Sequence, residues 1–198
     1  MILSIVAYGD PVLRKPGEEI SKDFPGLQEI IANMFETMHN AYGVGLAAPQ
    51  VGKSIRLFII ETKAFTERGE DDEEDDEYTP EERQQLENFR KIFINPKILE
   101  ESGEEWPFNE GCLSIPKIRE DVLRKPKIHI QYYDENFNFF DEIYEGVAAR
   151  VIQHEFDHLE GKLFIDKISP LRRRLLQGKL TDISKGKVKI GYKMRFPK

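Results

Sequence analysis

Two histidines four residues apart, with a glutamate directly after the first, stand in the stretch QHEFDHLEG at residues 153–161. Residues four apart lie on one face of a helix, so His154 and His158 could bind the same metal ion. Glu155 would lie about 100° around the helix axis, where a carboxylate can accept a proton from a water that the metal acidifies. The pattern therefore predicts a hydrolytic metal site. The alternative is a pair of hydrogen-bonded core histidines beside a chance glutamate.

A catalytic ion of this kind needs a third protein ligand and an open position for water. Zinc metalloproteases with this pattern take that ligand from a later histidine or glutamate, but no histidine follows His158 and the one later glutamate is Glu160. The third ligand is therefore expected upstream. The candidates are Cys112, His39 and His129, with a carboxylate as a less favoured choice. Both histidines are expected to face outward. Spacing alone does not decide between Cys112 as a ligand and Cys112 as a buried, unreactive cysteine. A thiolate with two imidazoles would suit iron, zinc, nickel or cobalt.

The elements that must position these residues can be predicted from the periodicity of apolar residues. Apolar residues and both histidines recur at helical spacing from Gly146 onward, and Gly161 suits the end of a buried central helix. Other patterns predict an amphipathic helix over residues 25–40, a short helix from Pro80, and strands or hairpins over residues 55–62, 92–102 and 126–146. The predicted fold class is α+β, with mixed or antiparallel strands packed around a central metal-binding helix.

Composition narrows the class of protein. The chain has 198 residues, 33% of them charged, which suits a single globular domain. No apolar run approaches the roughly 20 residues of a membrane span, and the first residues lack the basic leader of a signal peptide. The single cysteine excludes an internal disulfide and indicates a reducing compartment. We expect a cytoplasmic protein with neither a membrane nor a DNA partner.

Charge is distributed unevenly along the chain. Residues 67–82 hold eleven acidic residues and one arginine, a local charge of −10 against −7 for the whole chain. Residues 172–198 hold ten lysines and arginines against one aspartate, a local charge of +9. Blocks of like charge usually remain solvated. We therefore expect an acidic loop and a basic tail, neither of which contributes to a core.

Three stretches resemble, in order and spacing, the signature motifs of the peptide deformylase family. They are GVGLAAPQVG, EGCLS and QHEFDHLEG, at residues 43–52, 110–114 and 153–161. The segment YGDPVLR near the start is also similar to that family, and the likeness covers about residues 1–65 and 90–168. The resemblance implies a hydrolase of protein biosynthesis. Its reaction is removal of the N-terminal formyl group from the formyl-methionine of newly made polypeptides, with release of formate.

The resemblance also implies a ligand set. It makes Cys112 the third ligand beside His154 and His158, with one ion per chain. The ion expected in the cell is Fe(II), which nickel, cobalt or zinc can replace. The alternatives are a structural-zinc binding module, which would need a fourth protein ligand, and a generic zinc metallopeptidase.

Further roles follow from the same resemblance. Glu155 would accept the proton of the attacking water and pass it to the leaving amine. The side-chain amide of Gln50 and the backbone N–H of Leu113 would stabilise the oxyanion. A peptide substrate would lie as an added strand along the GVG stretch. The residues implied in substrate binding are Val44, Gly45, Phe108, Gly111, Val147, Arg150 and Val151.

The expected domain organisation combines the resemblance with the charge pattern. Residues 1–168 would form the deformylase catalytic domain, with an acidic insertion at about residues 66–90. Residues 169–198 would form a basic C-terminal extension. In some bacterial members of the family a basic C-terminal helix docks on the ribosome, and LRRRLLQGK suits that role. A merely soluble tail is the alternative. The expected partners are N-formylated nascent peptides and the ribosome.

Overall fold

The structure of the protein is a computed structural model that describes residues 1–66 and 79–197. Most of the expected acidic loop lies outside these residues. In the part of the chain that the structure describes, four α-helices form: α1 (Leu27–Asn40), α2 (Pro80–Asn88), α3 (Gly146–Leu159) and α4 (Pro170–Ser184). The strands are β1 (Ile5–Val6), β2 (Gly45–Ala47), β3 (Leu57–Glu61), β4 (Arg90–Ser102), β5 (Trp106–Cys112), β6 (Ile115–Arg124), β7 (Lys127–Tyr133), β8 (Phe139–Glu145) and β9 (Met194–Arg195).

The strands form one large sheet and two small ones. The large sheet is antiparallel, with the order β2-β3-β4-β7-β8, so that β2 and β8 are its edges. Strands β5 and β6 form a separate antiparallel hairpin, and β1 pairs in parallel with β9. Helix α3 packs against β2, β3, β7 and β8. This arrangement confirms the predicted α+β class, with antiparallel strands around a central helix.

Helix α3 buries an apolar face against the large sheet, while several polar side chains on its other face are buried toward the β5–β6 hairpin. Ile152 and Leu159 are fully buried against the inner face of the large sheet, where they contact a cluster that includes Phe58 and Ile128. Gly161, at φ +67°, follows the helix in a left-handed conformation. A Cβ atom there would lie 2.5 Å from the Arg14 carbonyl oxygen, so the chain can turn at this point only with glycine.

The sequence predicted several elements but not the β5–β6 hairpin. Helices α1 and α2 and the β7–β8 hairpin are confirmed. The β5–β6 hairpin was not predicted, because buried charged side chains interrupt the apolar alternation that marks a strand. Along β6 the inward positions include Glu120 and Arg124 as well as Ile118 and Val122. Among the described residues no helix combines the length and apolarity needed to cross a membrane.

The expectation that the basic tail stays outside the core is wrong. Leu176, Leu180 and Ile183 follow one another at helical spacing in α4, and all three are buried in a cluster with residues that include Ile115 and Phe164. The tail then continues to β9. Composition alone gave the wrong prediction, because the segment contains ten basic residues and its apolar residues form only a narrow stripe along the helix.

Replacing Leu180 tests whether the tail is part of the folded core. Leu180 is 0% exposed, so Leu180→Ala should lower the free energy of unfolding by about 2–5 kcal/mol through lost contacts and a residual cavity. Leu175 lies on the same helix and is 66% exposed, so Leu175→Ala should change it by less than about 0.5 kcal/mol. Urea unfolding of both variants makes the measurement. Equal stability of the two would contradict the packing described for α4.

Candidate metal centre and active site

Three potential metal ligands converge between α3 and the β5–β6 hairpin. The side-chain donor atoms of Cys112, His154 and His158 all lie within 4.8 Å of one another. The Cys112 Sγ atom is 3.4 Å from His158 Nε2. The two histidines are one turn apart on α3, and Cys112 is the last residue of β5. A thiolate and two imidazoles form a donor set for iron, zinc, nickel or cobalt, and three protein ligands leave a position open.

The other two upstream histidines lie elsewhere. His39 is exposed on α1 and pairs with the carboxylate of Glu61. His129 is partly exposed on β7 and pairs with Asp141. Of Cys112, His39 and His129, Cys112 is therefore the one that the fold brings to the histidine pair.

A buried carboxylate connects the hairpin to the helix. Glu110, on β5, is 4% exposed and accepts hydrogen bonds from three partners. Arg124 donates from Nε at 2.7 Å and from Nη2 at 3.0 Å, Arg150 donates from Nη1 at 3.1 Å, and His154 Nδ1 lies 2.9 Å away. Arg124 also donates to Asp157 on α3 at 2.7 Å. Burying these charges is tolerated because each carboxylate faces a cation at hydrogen-bond distance.

The charge state of Glu110 determines which ring nitrogen of His154 is available to a metal. Burial alone would raise the pKa of Glu110, but hydrogen bonds and charges from His154 and Arg124 outweigh burial and hold that pKa well below its ordinary value. An ionised Glu110 accepts a hydrogen bond from the Nδ1–H group of His154. With its proton on Nδ1, the neutral ring would have its Nε2 atom free to bind a metal. Carboxylates commonly orient metal-binding histidines in this way.

Glu155 lies beside the ligand cluster, on the wall of a large cavity. It is buried, and its Oε2 atom has no hydrogen-bond partner among the residues that the structure describes. Gly45 leaves the space for it, since a Cβ atom at that position would lie 2.8 Å from the Glu155 Cδ atom. Burial raises the pKa of Glu155 to about 7, although the charge of His154 opposes that shift. A carboxyl group with such a pKa can both accept and return a proton near neutral pH.

Gln50 holds its side-chain amide next to the cluster. It lies in a 3₁₀ turn, Ala48–Val51, and its Oε1 atom accepts a hydrogen bond from the Ala47 N–H at 2.9 Å. The amide nitrogen is thereby directed to Cys112 Sγ at 3.4 Å and to Ser114 Oγ at 3.3 Å. The group is a fixed donor that points toward the ligands.

A cavity of about 950 Å³ opens beside these residues. Its wall includes Gln50, Cys112, Leu113, His154 and Glu155. All seven residues that the sequence suggested for substrate binding also lie on this wall: Val44, Gly45, Phe108, Gly111, Val147, Arg150 and Val151. Arg150 is 1% exposed, and its guanidinium also donates to the carbonyl oxygens of Val122 and Trp106. Arg150 therefore supports the wall more than it offers charge to the cavity.

Sequence reasoning gave no role to Glu110, Arg124 or Asp157. A signal for Glu110 was available, because residues two apart on a strand share a face and Glu110 precedes Cys112 by two. It was missed because no strand was predicted for this segment. Arg124 and Asp157 carried no local signal, since their partners are distant in sequence.

Replacing Glu110 tests its support of the metal centre. Glu110→Gln removes the charge that orients His154, so affinity for zinc should fall by about 10- to 100-fold. Glu120 faces Glu110 across the hairpin and pairs with Arg172, away from the ligands. Glu120→Gln is therefore the matched control and should keep its affinity. Competition with a chromophoric chelator measures both, and equal affinities would contradict the role given to Glu110.

Comparison with known proteins agrees with this geometry. The sequence profile of the family described as Polypeptide deformylase matches residues 2–174. The peptide deformylase of Christiangramia forsetii is 59% identical over 197 residues, covering 100% of this chain and 97% of its own. The peptide deformylase of Flavobacterium johnsoniae is 56% identical over 196 residues, covering 99% of this chain and 96% of its own.

Solved structures give the same result. The crystal structure of a peptide deformylase from Legionella pneumophila has a TM-score of 0.76 and 35% identity, covering 94% of this chain and 98% of its own. The structure of peptide deformylase from Plasmodium falciparum has a TM-score of 0.77 and 34% identity, covering 92% of this chain and 96% of its own. Because the profile covers most of the chain and full-length relatives exceed half identity, the chain belongs to the polypeptide deformylase family.

Proposed function

We propose that this protein removes the N-terminal formyl group from the formyl-methionine of newly made polypeptides and releases formate. Metal-dependent deformylation is the known function of its family. The observation that carries the proposal is the convergence of Cys112, His154 and His158 beside the buried Glu155 on the wall of an open cavity. The reaction would take place in the cytoplasm, where new chains are made.

Cys112, His154 and His158 would hold one metal ion per chain. We propose Fe(II) in the cell, with nickel, cobalt or zinc as replacements, because the thiolate and two neutral imidazoles suit these metals. When bound, the ion would supply Lewis acidity to the reacting water and to the formyl carbonyl.

Glu155 would move the proton. In the reaction, water adds to the formyl carbon, the bond between that carbon and the α-nitrogen breaks, and the amine receives a proton. Glu155 would accept the proton from water and return it to the leaving nitrogen. Its burial and its pKa of about 7 support this double role.

Gln50 and Leu113 would stabilise the negative charge that develops on the formyl oxygen. The Gln50 amide has a fixed orientation, since its oxygen is held by the Ala47 N–H. A donor that is oriented before the reaction needs no rearrangement as charge develops. The backbone N–H of Leu113, next to Cys112, would be the second donor.

The substrate would bind along β2. This strand is an edge of the large sheet, and Val44 and Gly45 lie on the cavity wall. An extended peptide can add to such an edge through main-chain hydrogen bonds, which gives affinity for many sequences. Phe108, Val147 and Val151 would surround the first side chain, and their apolar character supports methionine there.

We propose that residues 1–168 form the catalytic domain, with an acidic insertion at about residues 66–90. Residues 169–198 would form a basic C-terminal extension. The exposed side of α4 carries Arg174, Leu175 and Lys179. This side would contact ribosomal RNA.

Reversing charge on α4 tests the ribosome contact without removing its buried leucines. The double variant Arg174→Glu, Lys179→Glu should cosediment less with ribosomes, and wild-type binding should weaken as salt rises, because phosphate contacts release counterions. Hydrolysis of a formylated tripeptide should not change. Equal cosedimentation of variant and wild type would contradict docking through α4.

The experiment that tests the function is release of formate from formyl-Met-Ala-Ser by protein purified without oxygen. Formate and free Met-Ala-Ser should appear together, and activity should follow the iron content measured on the same samples. Acetyl-Met-Ala-Ser is the control for the formyl group. Cleavage at an internal peptide bond would instead indicate a metallopeptidase. Activity that does not vary with iron content would contradict Fe(II) as the ion that supports the reaction.

Glu155→Gln separates proton transfer from metal binding. The variant should retain the ion, because Glu155 is not among the ligands, while kcat falls by about 10²- to 10⁴-fold or more. Cys112→Ala is the comparison, and it should lose metal and activity together. Metal content and kcat are measured on one sample of each. A Glu155→Gln protein without metal, or one with metal and full kcat, would exclude the proposed role.

A further inference from the structure

The C-terminal segment returns to the active-site cavity. Residues 189–192 form part of its wall. The family profile ends at residue 174, so this part of the wall lies beyond the matched region. The segment is held on both sides. Leu180 and Ile183 of α4 are buried before it, and β9 pairs with β1 after it.

The pairing with β1 fixes the chain next to Tyr192. The N–H of Ile5 donates to the carbonyl oxygen of Lys193 at 2.9 Å, and the N–H of Ala7 donates to that of Arg195, also at 2.9 Å. Because Lys193 directly follows Tyr192, the backbone of Tyr192 has little freedom to move relative to the core.

Tyr192 contacts the turn that follows the cysteine ligand. Its hydroxyl donates a hydrogen bond of 2.7 Å to the carbonyl oxygen of Leu113. Tyr192 is half-buried, and burial raises the pKa of its hydroxyl, which therefore stays protonated as a donor. Leu113 is the residue whose backbone N–H is proposed to stabilise the oxyanion.

The same turn is held from two other directions. The N–H of Tyr8 donates to the carbonyl oxygen of Ser114 at 2.8 Å, and the Gln50 amide donates to the Ser114 hydroxyl at 3.3 Å. Both of these contacts hold Ser114. The bond from Tyr192 restrains the carbonyl of Leu113. This carbonyl belongs to the planar peptide unit that directly follows the unit carrying the Leu113 N–H, and the two units meet at the Leu113 Cα atom. Fixing the carbonyl therefore limits the rotation of the Leu113 backbone.

We propose that Tyr192 is a positioning residue for deformylation, which holds the Leu113 backbone so that its N–H is aimed at the reacting carbonyl oxygen. The inference rests on the proposed function, because it assigns the Leu113 N–H to the transition state. A donor that is not held in place must reorganise as charge develops, and this lowers kcat more than it raises KM.

Tyr192→Phe tests the inference, because it removes the hydroxyl and keeps the ring. Tyr133→Phe is the matched control, since Tyr133 lies on β7 and not on the cavity wall. Two quantities are measured on metal-loaded protein of equal metal content. The first is kcat and KM for formyl-Met-Ala-Ser. The second is amide hydrogen exchange over residues 110–116 without substrate, which does not depend on activity.

In Tyr192→Phe, kcat should fall by about 2- to 10-fold with KM little changed, as expected for loss of one neutral hydrogen bond. Exchange over residues 110–116 should be faster than in the wild type, and Tyr133→Phe should change neither quantity. Unchanged kcat and exchange would overturn the inference, as would faster exchange with full kcat. If the wild type released no formate, the proposed function would itself fail, and that failure is visible before any variant is compared.

Discussion

The candidate metal centre depends on one buried carboxylate, Glu110. The proposed ligands come from two separate elements, with Cys112 on the hairpin and the histidines on α3, and each element alone is an incomplete site. Glu110 joins them through His154 and Arg124. Buried ion pairs are weak contributors to net stability, but an unpaired buried charge is costly. The network therefore strongly disfavours any arrangement that separates hairpin from helix.

The other elements act around this connection. The large sheet buries one side of α3 and offers its edge strand β2 to the cavity. Gly45 allows the Glu155 carboxylate to lie against β2, which removes it from water and raises its pKa. The C-terminal segment closes the side of the cavity at Tyr192. The hairpin turn that bears Cys112 is thus held by the N-terminal segment, by Gln50 and by the tail.

The elements that could be predicted from the sequence are those with a local periodic pattern of apolar residues. Helices α1 and α3 have strong apolar patterns, and the spacing of His154 and His158 indicated a shared ion before any fold was known. Spacing could not choose Cys112 over the other candidates, because its distance to the histidines is set by tertiary structure. The β5–β6 hairpin was hidden by its buried charges. The bond from Tyr192 to Leu113 joins residues 79 apart in sequence, and nothing local marks such a contact.

The central claim is that the hairpin cysteine and the two helix histidines bind the same ion. X-ray absorption spectroscopy of the protein loaded with one equivalent of zinc tests it directly, because sulfur and nitrogen ligands scatter at different distances. The expected first shell has one sulfur at about 2.3 Å and two imidazole nitrogens at about 2.0–2.1 Å, completed by a light atom. A shell without sulfur would contradict the claim, because Cys112 is the one cysteine in the chain.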